Sequence, residues 1–467
     1  MPDIDREPFC ACSTPPGISG IAVIRVSGEG TGECLDRIVR IIRSAGDYRK
    51  FSELPGYTAA YAAINDIEGN LIDNVIITRF TAPYSYTGDE MAEISCHGSS
   101  AVKQEILHVL GQIGIRSAGP GEFTKTAFIN GKLSLDESEA VMEVISSDSR
   151  KALDAANVLL RGDLMRKINS MEDDLYKAMA LIEMIVEFPE HDDTPENEDG
   201  LRDLLTRSGK ALKSLTGSFG KGRLLSERIR VAFAGLPNSG KSSLLNILTG
   251  YDRAIVTEVP GTTRDTIEVQ VNINDLPVTL IDTAGLHETS DLVEGLGIKR
   301  AIDAVEEADL VFCLIPPEQT AKDLEARTDI LKPSKTVILF SKSDTGANPE
   351  RDAIEKLCRD KGITRFVDIS SRDEFNIDAV KDIISEYYEA EGGSEGEIIL
   401  TNRRHYELIS FASDKIDMAL DALNSGLGVD ICSSVIRLAL DKLGEITGKT
   451  VSADLADKIF SDFCIGK

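Results

Sequence analysis

The residues with the clearest chemistry are Gly235-Leu-Pro-Asn-Ser-Gly240-Lys241-Ser242. They follow an apolar run, Arg230 to Ala234, and precede the helical Ser243-Leu-Leu-Asn. Glycines let backbone N–H groups of such a loop face phosphates without a Cβ in the way. Lys241 offers a point charge to β- and γ-phosphates, and the Ser242 hydroxyl can ligate Mg²⁺. Asn238, Ser239, Gly240 and Ser243 complete the cradle. Asp282-Thr283-Ala284-Gly285 ends a second apolar run, Val278 to Ile281. A carboxylate there can hold the Mg²⁺ shell, and Gly285 lets its amide approach a γ-phosphate. Between the two lies Gly261-Thr262-Thr263-Arg264-Asp265. Thr263 can complete the Mg²⁺ coordination when γ-phosphate is present, which makes the segment a switch. Any one of these pieces is weak alone. In this order they read as a GTPase.

Base choice falls to Ser341-Lys342-Ser343-Asp344, after the apolar Thr336 to Phe340. Asp344 accepts both guanine N–H donors, which adenine does not offer, and Lys342 covers the base plane. GTPases usually carry Asn-Lys-x-Asp here. Ser341 departs from that pattern and gives up a hydrogen bond worth about 1 kcal/mol. Weaker nucleotide binding is expected, with specificity kept. Ser370-Ser371 suits the next loop that supports the base.

Four segments must position these groups. Residues 1–131 mix strand-like runs with turns and predict an α+β domain. Ile21 to Val26 reads as a strand and Leu35 to Ile42 as an amphipathic helix. Asp66 to Asn70 is a turn between Tyr57–Ile64 and Leu71–Phe80, both strand-like. Residues 132–226 carry apolar residues at helical spacing, through Ala140, Val144, Ala152, Ala155 and Leu159. Pro189 closes that stretch. The acidic His191 to Asp199 that follows reads as a solvated charge run rather than a metal site. Residues 227–392 alternate strands and helices, with strands at Arg230–Ala234, Val278–Ile281, Leu310–Ile315, Thr336–Phe340 and Arg365–Asp368. That alternation predicts a doubly wound, mainly parallel sheet. Residues 393–467 are helical again, after a Gly/Ser/Glu linker. An α/β unit inserted into one helical domain is the simplest reading.

Composition narrows the class. The 467 residues are 42% hydrophobic and 28% charged, as in globular proteins. No apolar stretch is long enough to span a membrane. The first residues lack the apolar core of a secretory signal. Eight cysteines without a CxxC pair suit a reducing cytosol. The net charge of −27 argues against indiscriminate nucleic-acid binding, and no DNA or membrane partner is called for. Lys221–Arg230 and Arg403-Arg404-His405 are the local basic patches that could still meet RNA. Either could be only a solvated helix face.

Motifs along the whole chain resemble the MnmE (TrmE) family of tRNA modification GTPases. They are Thr14-Pro-Pro-Gly17, Ile24-Arg-Val-Ser-Gly28, Tyr86-Thr-Gly-Asp-Glu90, His97-Gly98, Pro120-Gly-Glu-Phe-Thr124, Ala127-Phe-Ile-Asn130, the GTPase set, and Phe463-Cys-Ile-Gly-Lys467. The resemblance implies a K⁺-activated GTPase, homodimeric through a folate-binding N-terminal domain, that works with the FAD protein MnmG (GidA) in a heterotetramer. Together they add a carboxymethylaminomethyl or aminomethyl group to C5 of the wobble uridine, position 34, of certain tRNAs. The one-carbon unit comes from 5,10-methylene- or 5-formyltetrahydrofolate. Carried over by motif, the folate contacts fall on Arg25, Glu93, Lys132 and Lys467. A thiol function falls on Cys464. Glu288 takes the place of the glutamine that orients water in Ras-like proteins. Asn238, Thr257, Val259 and Thr262 would ligate K⁺. The other seven cysteines read as buried small hydrophobes, and His97 as structural. Two other readings stay open: a ribosome-assembly type GTPase switch without modifying activity, and a stand-alone folate-dependent aminomethyltransferase with a regulatory domain.

Overall fold

The structure is a computed structural model. It describes residues 7–44, 48–187, 194–251, 267–282, 302–325, 328–391, 398–425 and 429–466. The chain packs into two compact units. One holds residues 1–142, 159–170 and 440–467, and the other holds 143–158 and 171–439.

The first unit is built on alternation. In β2 (Ser19–Ser27), Ala22, Ile24 and Val26 are fully buried, while Val23 and Arg25 point to the opposite face. The same period runs through β6 (Met91–Gly98), where Ala92, Ile94 and Cys96 are buried and Glu93 and Ser95 are not. With β1 (Phe9–Cys12), β3 (Val39–Arg43), β4 (Thr58–Asn65), β5 (Leu71–Phe80) and β7 (Arg116–Ser117) they form one sheet in the order β3-β4-β5-β6-β2-β1-β7. Every described pairing is antiparallel except β1 with β7. The apolar face packs on Ile106, Val109 and Leu110 of helix α2 (Ser100–Gln112), which Ser99 caps through a 3.1 Å bond from the Val102 N–H.

The helix expected at Leu35–Ile42 is not there. A short helix, Thr31–Leu35, gives way to the strand Val39–Arg43. Leu35, Ile38 and Val39 are all buried, and their spacing serves either period. Pairing of Val39–Ile41 with Ala62–Ile64 decides for the strand.

In the second unit, a six-stranded sheet has the order β13-β12-β11-β8-β10-β9. The strands are β8 (Ile229–Gly235), β9 (Ile267–Ile273), β10 (Leu276–Asp282), β11 (Leu310–Ile315), β12 (Thr336–Phe340) and β13 (Phe366–Asp368). All neighbours are parallel except β9, an antiparallel edge strand absent from the sequence reading. Strand order turns back at β8, so the loops after its neighbours diverge and leave a crevice at their carboxyl ends. The same unit holds two long helices, Thr194–Gly217 and Arg403–Asn424, packed together with a 2.8 Å ion pair between Lys213 and Asp417. Thr194–Asp199 therefore opens a helix instead of extending the acidic loop. Pro195 suits a first turn, where its missing N–H has no intrahelical partner to serve, and Glu196 complements the helix dipole. Among the described residues no His/Cys/Asp/Glu cluster could hold a metal ion.

Phe233 sits at the middle of β8, fully buried, with its ring stacked 6.1 Å from that of Phe312 on β11. We expect Phe233→Ala to cost about 3–5 kcal/mol. Thermal melts should show a lowered transition for this unit, together with weaker nucleotide binding.

Candidate functional site

The loop after β8 is the first site. Gly235 has φ +143°, and a Cβ there would lie 2.7 Å from the Leu314 carbonyl oxygen. Only glycine lets the chain turn this close to β11. Asn238 is exposed and left-handed at φ 61°, which fits a turn residue that tolerates that region. Helix Lys241–Tyr251 then starts, so its N-terminal N–H groups and dipole face the loop. Lys241 is buried, and its Nζ donates to the carbonyls of Gly235 (3.0 Å) and Leu236 (2.8 Å). The loop therefore wraps its own cation. Ser242 Oγ lies 3.0 Å from Asp282 Oδ2, at the end of β10. A hydroxyl and a carboxylate, both hard oxygen donors at the mouth of a phosphate loop, fit a Mg²⁺ ion.

The base loop follows β12. Asp344 is exposed, and its Oδ1 accepts from Ser370 Oγ at 2.8 Å, so the loops after β12 and β13 are tied together. Ser371 follows Ser370 in that second loop. Lys342 has φ 55°, and its Nζ pairs with Glu318 at 2.9 Å. Ser341 is buried and donates to the backbone carbonyl of Ser239 at 2.7 Å. The hydroxyl thus keeps a bond to the phosphate loop that the sequence reading had not foreseen. Ser243 is exposed on the first turn of the helix. Thr257, Val259, Thr262, Thr263, Thr283, Ala284, Gly285 and Glu288 lie outside the described residues.

The second site lies on the face of the first unit's sheet against which Tyr86 and Phe123 pack. Arg25 and Glu93 are register partners across β2 and β6, and Arg25 Nε donates to Glu93 Oε1 at 2.8 Å. The guanidinium sits 5.4 Å from the ring centre of Tyr86. Tyr86 hydroxyl meets Thr124 Oγ1 at 2.9 Å, and burial pushes its phenol above the ordinary value. Arg25 Nη1 is buried without a hydrogen-bond partner. Such a donor calls for an acceptor from a ligand or water. Lys132 is exposed and donates to the Pro83 carbonyl at 3.1 Å. Lys467 is outside the described residues.

Residues 464–466 reach this same unit. Ile465 bridges Pro120, the Gly121 N–H donates to the Cys464 carbonyl at 3.4 Å, and Ser13 Oγ donates to the Gly466 carbonyl at 2.9 Å. Gly466 has φ +96° and lies against Cys12, where a Cβ would fall 2.8 Å from the carbonyl oxygen. Phe463, buried with Leu135, Ala456 and Phe460, anchors the segment. Helix α3 (Glu122–Ile129) starts beside Cys464 and carries Thr124 to Tyr86. Ser13 continues β1, whose Ala11 is the register partner of Arg25. Tyr86 and Thr124 belong to the sequence motifs, but the contact of Tyr86 with Arg25 needed the fold.

All eight cysteines are free thiols, and Cys464 is exposed. Burial pushes Cys10, Cys96 and Cys358 up to about 11, as for inert core thiols. Cys12 and Cys34 are only half-buried, which corrects the expectation for those two. His97 is largely exposed, with Nδ1 2.8 Å from Asp73 Oδ1. Each cation of Lys221–Arg230 has a carboxylate partner. Lys221 is buried against Glu389, Arg223 pairs with Asp309, Arg228 with Asp148, and Arg230 with Glu268. Arg403 pairs with Glu407, and His405 is buried.

Comparison with known proteins decides the family. The model of the MnmE helical domain matches residues 135–464, and that of the GTP-binding protein TrmE N-terminus matches residues 8–132. The tRNA modification GTPase MnmE of Natranaerobius thermophilus is 36% identical over 99% of this chain and all of its own length. The protein of the same name from Caldicellulosiruptor saccharolyticus is 38% identical, again over 99% of this chain and its own full length. The chain belongs to the MnmE family of tRNA modification GTPases. Among solved structures it is similar to the G domain of the T. maritima FeoB iron transporter, at 28% identity over 34% of this chain and 98% of that one, with a TM-score of 0.27. That score is too low to add to the assignment.

Asp344 is the residue that the sequence reading sets against the base. An amide there offers an N–H where the carboxylate only accepts. We expect Asp344→Asn to lose GDP affinity more than about tenfold, the size of a charge-assisted hydrogen bond, and to gain xanthosine diphosphate. Competition binding with the two nucleotides checks it.

Proposed function

We propose that this MnmE-family chain hydrolyses GTP with Mg²⁺ and K⁺ and, with the FAD protein MnmG as partner in the cytoplasm, modifies C5 of the wobble uridine of certain tRNAs. The group added is of the aminomethyl type, and its carbon comes from a tetrahydrofolate. The chain is homodimeric through its N-terminal domain. The division into residues 1–131, 132–226, 227–392 and 393–467 belongs to the same proposal. The observation that carries it is the placement of residues 464–466 on the same β1 and α3 neighbours as the Arg25–Glu93 pair. A GTPase switch with no further chemistry has no use for that arrangement.

The residues fit the bound groups. Arg25 Nη1 is a buried donor without a partner, which a folate acceptor would satisfy. Glu93 gives one oxygen to Arg25, and its carboxylate suits the amino and ring N–H donors of a pterin. Lys132 and Lys467 would meet the glutamate tail. When bound, the folate supplies the one-carbon unit. The exposed thiol of Cys464 would act beside it. At the other site, Lys241 and the loop amides would hold the phosphates, while Ser242, Thr263 and Asp282 would hold Mg²⁺. Asn238, exposed in the loop, would ligate K⁺ together with Thr257, Val259 and Thr262, and Glu288 would orient the attacking water.

Two results test this. In cells lacking the gene, a Cys464→Ser copy should leave C5-aminomethyl-type wobble uridines absent in nucleoside mass spectra, while the purified variant hydrolyses GTP normally. Restored modification would contradict the thiol's role. GTP hydrolysis should be at least about tenfold faster in K⁺ than in Na⁺ at equal ionic strength, since a cation in the place of an arginine finger offsets the same developing charge. Equal rates would remove Asn238 from the site.

A further inference from the structure

We propose that Arg228 is a latch. It holds the point where the chain enters the six-stranded sheet in a conformation that glycine alone takes freely. It fixes helix Arg150–Leu160 against the β9–β10 pair for as long as its ion pair with Asp148 stands.

Arg228 lies between helix Phe219–Glu227 and β8, with φ 69° and ψ 147°. A residue with a Cβ rarely adopts that region, and one that does is held there by its surroundings. The turn itself needs no arginine, since a glycine makes it without strain. What the arginine adds is its side chain, which is only 12% exposed. Nη2 donates to the carbonyls of Val271 at 2.9 Å and Val278 at 3.1 Å. Those two residues are register partners across β9 and β10. Nη1 pairs with Asp148, in the loop before helix Arg150–Leu160. The Asp148 carbonyl accepts from the side-chain amide of Asn272 on β9. One guanidinium thus ties both strands of the pair to the helical segment, and one of those strands ends at Asp282.

The rest of this contact is built to part. The helix gives the apolar core two small residues, Ala152 and Ala155, in one cluster with Leu225, Ile229 and Val271. Beside them lies a cavity of about 290 Å³, lined by Glu143, Ser147, Asp148, Arg228, Gln270 and Thr401. A close-packed interior leaves no such space. The Asp148 side chain is 36% exposed, so water and salt reach the ion pair. Arg228 Nε is buried with no hydrogen-bond partner, a cost that opening to water removes. The backbone strain is relieved by the same step. Breaking the ion pair therefore frees the turn to relax and the helix to leave the strands.

The test is hydrogen exchange, read by mass spectrometry on the full chain with GDP bound, together with thermal melts. Arg228→Gly removes the side chain and the strain. Arg228→Ala removes the side chain and keeps the strain. We expect exchange in residues 143–158 to quicken at least about tenfold in both, the worth of a charge-assisted hydrogen bond, and by a smaller factor in Asp148→Asn. Exchange in β12 and GDP affinity, both remote from the contact, should stay within about twofold. Arg228→Gly should melt above Arg228→Ala, the reverse of the order at an unstrained position. In the unaltered protein, raising salt from about 0.05 to about 0.5 M should quicken exchange in residues 143–158 about twofold or more and leave β12 as it was. Unchanged exchange in Arg228→Gly, or an alanine variant as stable as the glycine one, overturns the proposal. So does exchange in residues 143–158 of the unaltered protein that ignores salt, a comparison that needs no variant to fold.

Discussion

The arrangement depends on one closure, the return of residues 464–466 to the N-terminal domain. Ser13 and Gly466 are hydrogen-bonded across 453 positions of sequence. The contact is small: a two-residue bridge at Pro120, one side-chain bond, and a phenylalanine in a local cluster. The entropy of closing a chain segment grows only with the logarithm of its length, about 0.6 kcal/mol per doubling. A whole α/β domain can therefore be spliced between the ends of such a contact at little cost. What the closure demands is local, and the residues provide it. Gly466 accepts the left-handed backbone at the approach to Cys12, and Phe463 is buried just before it.

The same logic governs the nucleotide site. Its described loops follow the carboxyl ends of strands: the Gly235 loop after β8, Asp282 at the end of β10, Ser341 after β12 and Ser370 after β13. The sheet fixes those ends to each other through parallel register, and side-chain bonds finish the job. Ser242 meets Asp282, Ser341 meets the phosphate loop, and Ser370 meets Asp344. With 78 acidic residues against 51 basic ones, the cations of Lys221–Arg230 are drawn into ion pairs with carboxylates.

Much of this was legible in the residues themselves. A phosphate loop is a local object: its glycines, lysine and serine lie within eight consecutive positions, and its flanking strand and helix are contiguous. Leu310–Ile315 and Thr336–Phe340 were readable as strands because a fully buried parallel strand is a short, unbroken apolar run. The failures differ in cause. Leu35–Ile42 carries apolar residues that fit two periods, and only pairing with β4 chooses between them. Ile267–Ile273 alternates strictly between apolar and polar residues, the period of a half-buried edge strand, so that strand was legible and was passed over. The partnership of Arg25 with Glu93 and Tyr86 depends on register across 68 positions, which no local pattern encodes.

The closure itself offers the most direct measurement. Titration of 5-formyltetrahydrofolate into the full chain, and into the chain lacking residues 464–467, asks whether that segment completes the folate site. GDP binding serves as the control for folding. We expect folate affinity to fall at least about tenfold, the loss of one or two charge-assisted hydrogen bonds, with GDP affinity unchanged. Equal folate affinity in the two proteins would mean that the segment only packs against the domain, and the site would have to be sought elsewhere.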